Sequence, residues 1–331
     1  MAENKKMEKA ASTNPVVKYL KDNMGIIIAL GAMLLLLAVM PTTRSNFFAV
    51  KNIFNVLRQN ASNLFLSCGM TMVIILGGID LSVGSIIAMS GCFAAAAVVN
   101  GGMPVGAGFA IGIASGLIFG LFNGTVIAMT NIPAFIVTLA SMNVAKGIAY
   151  VYTGGQPIRC MTTSWKFLGA GYVGPVPTPV IVMIVIFAMT ALLINRTKFG
   201  RHIYAVGGNA QAAVYSGIST RKVKFIVYSF SGLMAGLAGV LTASRLYSGQ
   251  PTAGEGAEMD AIAAVVVGGT SMSGGSGRLG GTLIGVLIIG VLNNGLNLMG
   301  VDSNWQYVVK GVVILLAVYV DYLRGLKRAA S

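Results

Sequence analysis

Apolar residues in this chain seldom alternate with polar ones. They gather in long runs, separated by short polar or glycine-rich interruptions. Ten runs predict ten helices, over 24–40, 61–77, 82–99, 105–129, 134–152, 179–194, 223–245, 257–269, 279–298 and 304–323. All but the eighth are 16 to 25 residues long, the length a helix needs to cross a bilayer. The eighth, at 13 residues, is too short for a full crossing and is expected to be re-entrant or broken. One stretch between the first two runs is two-sided. Val50, Ile53, Phe54 and Leu57 fall at i, i+3, i+4 and i+7, while Lys51, Asn52, Asn55 and Arg58 fill the other face. That pattern predicts a helix lying along the outer membrane surface.

Composition fixes the class. Of 331 residues 55% are hydrophobic and only 10% charged, against about 25% charged in soluble domains. The chain reads as one all-α polytopic membrane domain over 24–323, with about ten transmembrane helices, some broken. A basic segment precedes it at 1–23 and a short tail follows at 324–331. The first run is read as a retained anchor rather than a signal peptide, because its polar lead is long and no small-x-small cleavage site follows.

Charge orients the helices. Of 23 basic residues, 14 sit in three places: Lys5, Lys6, Lys9, Lys18 and Lys21; Arg196, Lys198, Arg201, Arg221, Lys222 and Lys224; and Arg324, Lys327 and Arg328. Such clusters mark cytoplasmic segments. Ten crossings from an inner amino terminus put 195–224 and the tail inside, in agreement with the charge. Arg44, Lys51 and Arg58 would then lie outside, against the trend. The net charge of +14 does not point to nucleic acid, since no aromatic residues interleave the basic ones and each cluster abuts an apolar run.

Glycine is the commonest punctuation. Gly108, Gly112, Gly116, Gly120 and Gly124 recur every fourth residue, on one face of a single helix, where small residues let a second backbone approach. Gly232 and Gly236, and Gly281 and Gly285, repeat the device. Gly275, Gly277 and Gly280 spell G-x-G-x-x-G after a valine run, with Asp302 roughly 20 residues on, the outline of a dinucleotide-binding unit. A second likeness competes with it. Residues 77–85 read GGIDLSVGS and residues 268–276 read GGTSMSGGS. Two glycine-rich breaks, each joining two apolar segments, suggest an internal repeat with broken helices, as transporters place near their substrate path.

Familiar catalytic patterns are missing. Cys68, Cys92 and Cys160 have no metal spacing, and His202 lies alone in a basic loop. No Gly-Lys dipeptide occurs, which excludes a Walker A loop. No catalytic residue, metal site or cofactor is expected.

Several segments together resemble a known family. These are GMTMVIILGGIDLSVGS (69–85), PAFIVTLASM (133–142), TKFGRHIYAVGGNAQAAVYSGI (197–218), QPTAGEGAEMDAIAAVVVGGTSMSGGSGRLGGTLIG (250–285) and NNGLNLMGV (293–301). They look like the membrane permeases of bacterial ABC sugar importers, closest to the ribose permeases, over nearly the whole chain after about Phe47. The resemblance implies a permease homodimer in the cytoplasmic membrane that carries a monosaccharide inward. It also implies a cytoplasmic ATPase subunit with two nucleotide-binding halves and an extracytoplasmic sugar-binding protein. Gln211 departs from relatives that often carry an acid there, which bears on ATPase docking.

Candidate sites follow. Asp80 in the first break, with Asn293 and Asn294 in the ninth run, are candidates for the translocation path. A charge at mid-membrane depth must face protein or water, and amides both donate to and accept from sugar hydroxyls. Glu255, Glu258 and Asp260 form the densest acidic stretch, expected as a mobile outer loop that meets the binding protein. In 195–224, Gly207 and Gly208 are expected to break the chain, Asn209 to cap a two-turn helix, and Gly217 to end it. So short a helix needs support. The expectation is that the ATPase subunit supplies it, with Ala212 and Ala213 deep in a groove and Tyr215 and Ile218 as anchors. A secondary transporter is the alternative. It would need ionisable groups in the spans, for which Asp80, Lys146, Asp260 and Lys310 are the candidates.

Overall fold

The computed structural model describes residues 47–329, together with 27, 28, 30, 31 and 34; side chains are described as far as 319, apart from 317. The basic segment 1–23 and most of the first predicted span lie outside the described residues. The helices in chain order are α1 (Val50–Ile75), α2 (Val83–Val99), α3 (Val105–Met129), α4 (Ala134–Thr153), α5 (Thr163–Ala170), α6 (Thr178–Arg196), α7 (Lys198–Gly208), α8 (Ala210–Tyr215), α9 (Thr220–Leu246), α10 (Ala257–Val267), α11 (Leu279–Leu298) and α12 (Ser303–Ala329). Among the described residues four two-residue strands make two small pairs. β1 (Ile158–Arg159) pairs antiparallel with β4 (Ser248–Gly249), and β2 (Tyr172–Val173) with β3 (Val176–Pro177). Among the described residues five helices, α3, α4, α6, α9 and α11, are long and apolar enough to cross a membrane.

The amphipathic stretch at 50–58 is not a separate surface helix. It is the first part of α1, which runs unbroken for 26 residues. No proline or glycine separates Leu57 from Ala61, so nothing interrupts the hydrogen-bond ladder where the hydrophobic pattern changes.

The glycine stripe of α3 does what its spacing predicts. A Cβ on Gly116 would lie 2.5 Å from Gly236 Cα and 2.6 Å from the Gly232 oxygen; one on Gly120, 2.7 Å from the Tyr228 oxygen; one on Gly124, 2.6 Å from the Phe225 oxygen. Helices α3 and α9 therefore run antiparallel with backbone against backbone, and dispersion over that seam replaces a hydrophobic drive that lipid does not supply.

The two ends of the bundle differ in character. At the hairpin end, the chain between α4 and α6 folds over the end of α9. Trp165 is fully buried with Nε1 donating to the Ala243 oxygen at 3.3 Å, and Gly169 N donates to Ser244 Oγ at 2.7 Å. Arg58 of α1 stacks 4.5 Å from the Tyr172 ring, which puts the start of α1 at this end too. The basic end carries Arg196, α7, α8, the start of α9 and both glycine-rich breaks.

Helix α10 has 11 residues, about 16 Å at the helical rise, roughly half of a 30 Å hydrocarbon core. The missing half is a run of turns over 250–256. Gly249 sits against Gly91 and Cys92 of α2, and Gly254 against Gly84 and Ile87. Between them the chain descends about eight helical residues, ~12 Å, along α2 before α10 begins. Irregular backbone at this depth is tolerated because it is packed on protein and lines a cavity.

Each break starts from a helix closed by a left-handed glycine. Gly77 has φ +83° and Gly269 φ +87°. Gly78 N bonds the Val73 oxygen at 2.9 Å and Thr270 N the Val265 oxygen at 3.1 Å, the same C-terminal cap twice. The structural equivalence is Gly77 with Gly269, one residue off the alignment of the two GG motifs. Beyond the cap the likeness ends, because Val83, Gly84 and Ser85 begin α2 while Gly274, Gly275 and Ser276 remain in a longer loop. A helix, not a strand, precedes G-x-G-x-x-G, so the dinucleotide reading fails on its first structural requirement.

Candidate functional site

Asp80 is spent on protein contacts. It is fully buried, its Oδ1 accepting from Ser82 N at 3.0 Å and Ser82 Oγ at 2.6 Å, its Oδ2 from Ser231 Oγ at 2.7 Å. Ser82 Oγ in turn accepts from Asn123 Nδ2 at 3.0 Å, and Asn123 Oδ1 accepts from Ser141 Oγ. The relay Ser141, Asn123, Ser82, Asp80 points its donors at the carboxylate and ties the first break to α3 and α4, while Ser231 ties it to α9. The charge is met by protein, as a buried membrane charge must be, but it is a clasp rather than a lining group.

Asn294 is likewise consumed. Its amide and that of Asn52 bond reciprocally at 2.9 and 3.0 Å, joining α11 to α1. Asn294→Leu should therefore lower stability by about 1–2 kcal/mol by leaving Asn52 Oδ1 without its donor, while Asn52 Nδ2 keeps the Phe47 oxygen. The double variant Asn52→Leu/Asn294→Leu should recover most of the loss in thermal unfolding. A double variant no better than the single would refute the clamp. Asn293 Nδ2 donates to Asp260 Oδ2 at 3.3 Å, and Lys310 Nζ lies 3.0 Å from the same carboxylate. These groups tie α10, α11 and α12 together.

The acidic stretch is not a mobile outer loop. Glu258 and Asp260 lie in the first turn of α10, and Glu255 immediately precedes it. Glu255 is 3.5 Å from Lys146 of α4, with side chains 62% and 48% exposed. Around this pair a cavity of about 240 Å³ is lined by Ser85, Asn143, Lys146, Glu255 and Glu258, with Pro251–Gly256 as its wall. Lys146 lies seven residues from the end of α4 at Thr153, about 10 Å in from that end. A half-exposed ion pair at such depth faces water or a second protein surface, since lipid contact there costs about 2.5–3.5 kcal/mol per charge. The cavity thus offers an ammonium and an amide as donors and two carboxylates as acceptors, chemistry that matches a neutral polyol.

At the basic end the local reading of 209–217 holds. Asn209 Oδ1 accepts from Ala212 N at 2.9 Å, and Gly217 has φ +77°. Two points differ. Gly207 and Gly208 do not break the chain but form the last turn of α7. Ala213, 4% exposed, faces the chain's own core, with Ile218 packed beside it. Helix α8 is therefore held from within. What it leaves outside is Ala212, Val214 and Tyr215, the last 88% exposed.

The family described as branched-chain amino acid transport system / permease component matches residues 52–318. The chain belongs to this permease family. It is 48% identical over 297 residues to the ribose import permease of Escherichia coli (strain K12), covering 88% of this chain and 91% of that one. It is 49% identical over 302 residues to the ribose import permease of Bacillus subtilis (strain 168), covering 90% and 94%. A xylose transport system permease of Haemophilus influenzae is 35% identical over 361 residues, covering 90% and 96%. No solved structure matches. The permease is a multi-pass membrane transport subunit, and its apolar exterior is the lipid-facing or subunit-facing surface of such a protein.

Of the cavity residues, the sequence marks Lys146 only as a possible ion carrier and does not mark Asn143 or Ser85. A lysine within the apolar run 134–152 was the available signal. Its pairing with Glu255, 109 residues away, was not.

Proposed function

We propose that the permease carries a pentose, ribose or a close relative, inward across the cytoplasmic membrane as the membrane subunit of an ABC importer. The observation that carries this is the Lys146–Glu255 cavity, a polar, half-exposed site at depth in a family whose ribose relatives are nearly half identical. Ten crossings, with the basic end and both termini inside, fit the charge distribution. The helix pairs α1–α2 and α10–α11 correspond as the broken elements of two repeats. A second copy covers the Asn143–Lys146 face, so that two such cavities border one path. A cytoplasmic ATPase subunit with two nucleotide-binding halves docks on Tyr215 and Val214, and an extracytoplasmic binding protein delivers sugar at the hairpin end. Glu255 reaches toward that delivery route, while Glu258 and Asp260 lie too deep to meet the receptor first.

The ion-coupled alternative loses its carriers. Asp80 is saturated by hydroxyl and amide donors, Asp260 is bonded to Lys310, and Lys146 faces Glu255.

The test is uptake of labelled pentose by vesicles holding the permease, its ATPase subunit and its binding protein. Lys146→Met should lower uptake about tenfold or more, the loss of one charge-assisted hydrogen bond, while receptor-stimulated ATP hydrolysis persists. Unchanged uptake would move the path elsewhere, and no ATP-dependent pentose uptake by the unaltered complex would refute the function.

A further inference from the structure

Three segments far apart in sequence meet at the basic end with no side chain between them. The carbonyl of Ile75, the last residue of α1, accepts from Gly275 N of the second break at 2.8 Å. Gly207 of α7 lies on top of that bond. A Cβ there would overlap the Ile75 oxygen and stand 2.9 Å from Gly275 N. Packing continues on both sides. A Cβ on Gly274 would be 2.9 Å from the Gly207 oxygen and 3.1 Å from Gly77 Cα, and one on Gly275 would be 2.7 Å from Gly208 Cα. One turn earlier on α7, Tyr204 Oη donates to the Gly277 oxygen at 2.9 Å. Burial pushes the Tyr204 phenol up from its ordinary value, so it stays a donor.

We propose that Gly207 is the positioning residue through which motion of the α7–α8 unit reaches both helix breaks at once. Backbone packed on backbone has no rotamer to absorb a shift, and close-packed contacts pass displacement on rather than damping it. A push on α8 moves α7 as a lever, and the end of α1 and the loop before α11 follow together because the Ile75–Gly275 bond already joins them. The two broken elements therefore cannot move separately. This rests on the reading of 195–224 as the surface that meets the ATPase subunit.

The experiment uses the complete complex in vesicles and reads three quantities: copurification of the ATPase subunit, basal ATP hydrolysis, and ATP hydrolysed per pentose imported. Gly207→Ala is expected to copurify normally and to keep basal hydrolysis within about twofold. Its uptake should fall about tenfold or more, and ATP per sugar should rise to match, because the new methyl lifts α7 off the joint without touching α8. Gly208→Ala is the control. Its Cβ meets nothing within 4 Å, and its ratio should stay within about twofold of wild type. Tyr204→Phe adds no bulk and should raise the ratio by about two- to fivefold through loss of one hydrogen bond. A normal ratio in Gly207→Ala overturns the proposal, as does equal damage from Gly207→Ala and Gly208→Ala. If Gly207→Ala does not accumulate, a normal ratio in Tyr204→Phe overturns it instead. Failure of the unaltered chain to copurify with the ATPase would sink the docking reading, and the joint with it.

Discussion

Gly116→Val is expected to remove most of the permease from the membrane fraction. The obstacles to a side chain at this position are Gly236 Cα at 2.5 Å and the Gly232 oxygen at 2.6 Å, both backbone. Neither can turn aside as a side chain would. Overpacking in a core that can adjust costs about 1–3 kcal/mol. Here two helices must separate along the whole Gly112–Gly124 seam, so the cost should exceed that range. Gly106→Val lies on the same helix, where an added Cβ meets nothing within 4 Å, and should leave the amount unchanged. Membrane content and a single symmetric peak on gel filtration in detergent are the readouts. A Gly116→Val protein at wild-type level would mean that α3 and α9 are not packed as described.

The second large effect is expected at Tyr215. An aromatic residue 88% exposed on a short, well-capped helix is the form of an interface anchor, and such anchors carry about 2 kcal/mol or more each. Tyr215→Glu should insert normally and then lose the ATPase subunit during purification. The weakening should be roughly thirtyfold or more, with uptake at background. Ala213→Glu should behave differently. Ala213 is buried against the chain's own core, so an unpaired carboxylate there should lower the amount of folded permease before docking is ever tested. Normal copurification of Tyr215→Glu would show that the ATPase meets another surface.

The sequence offers Asp80 and Asn294 as path candidates while the structure bonds both to protein, for one physical reason. A polar residue in a membrane span needs a partner, and sequence shows the need without showing who meets it. Ser231 and Asn52, which meet it, lie 151 and 242 residues away. The acidic stretch was misplaced for a related reason. Glycines and a proline at 249–256 read as a loose surface loop, yet here they let a chain of tight turns lie flush against α2.

Much was settled by local physics alone. Run length against bilayer thickness marked the helices, because lipid offers a backbone no other hydrogen-bond partners. The four-residue glycine period marked the packing face of α3, because that period is the face of a helix. Asn209 and Gly217 marked the ends of α8, because capping depends on the backbone a few residues away. Tertiary structure decided what local chemistry leaves degenerate. It set the continuity of α1, the turns packed on α2 before α10, and the one-residue offset between the two breaks. It also turned Ala213 inward and Tyr215 outward, brought Lys146 to Glu255, and seated Gly207 on the end of α1. Each of these depends on which segments come together in space, and a glycine in a tight joint is spelled no differently from a glycine beside open space, as Gly207 and Gly208 show.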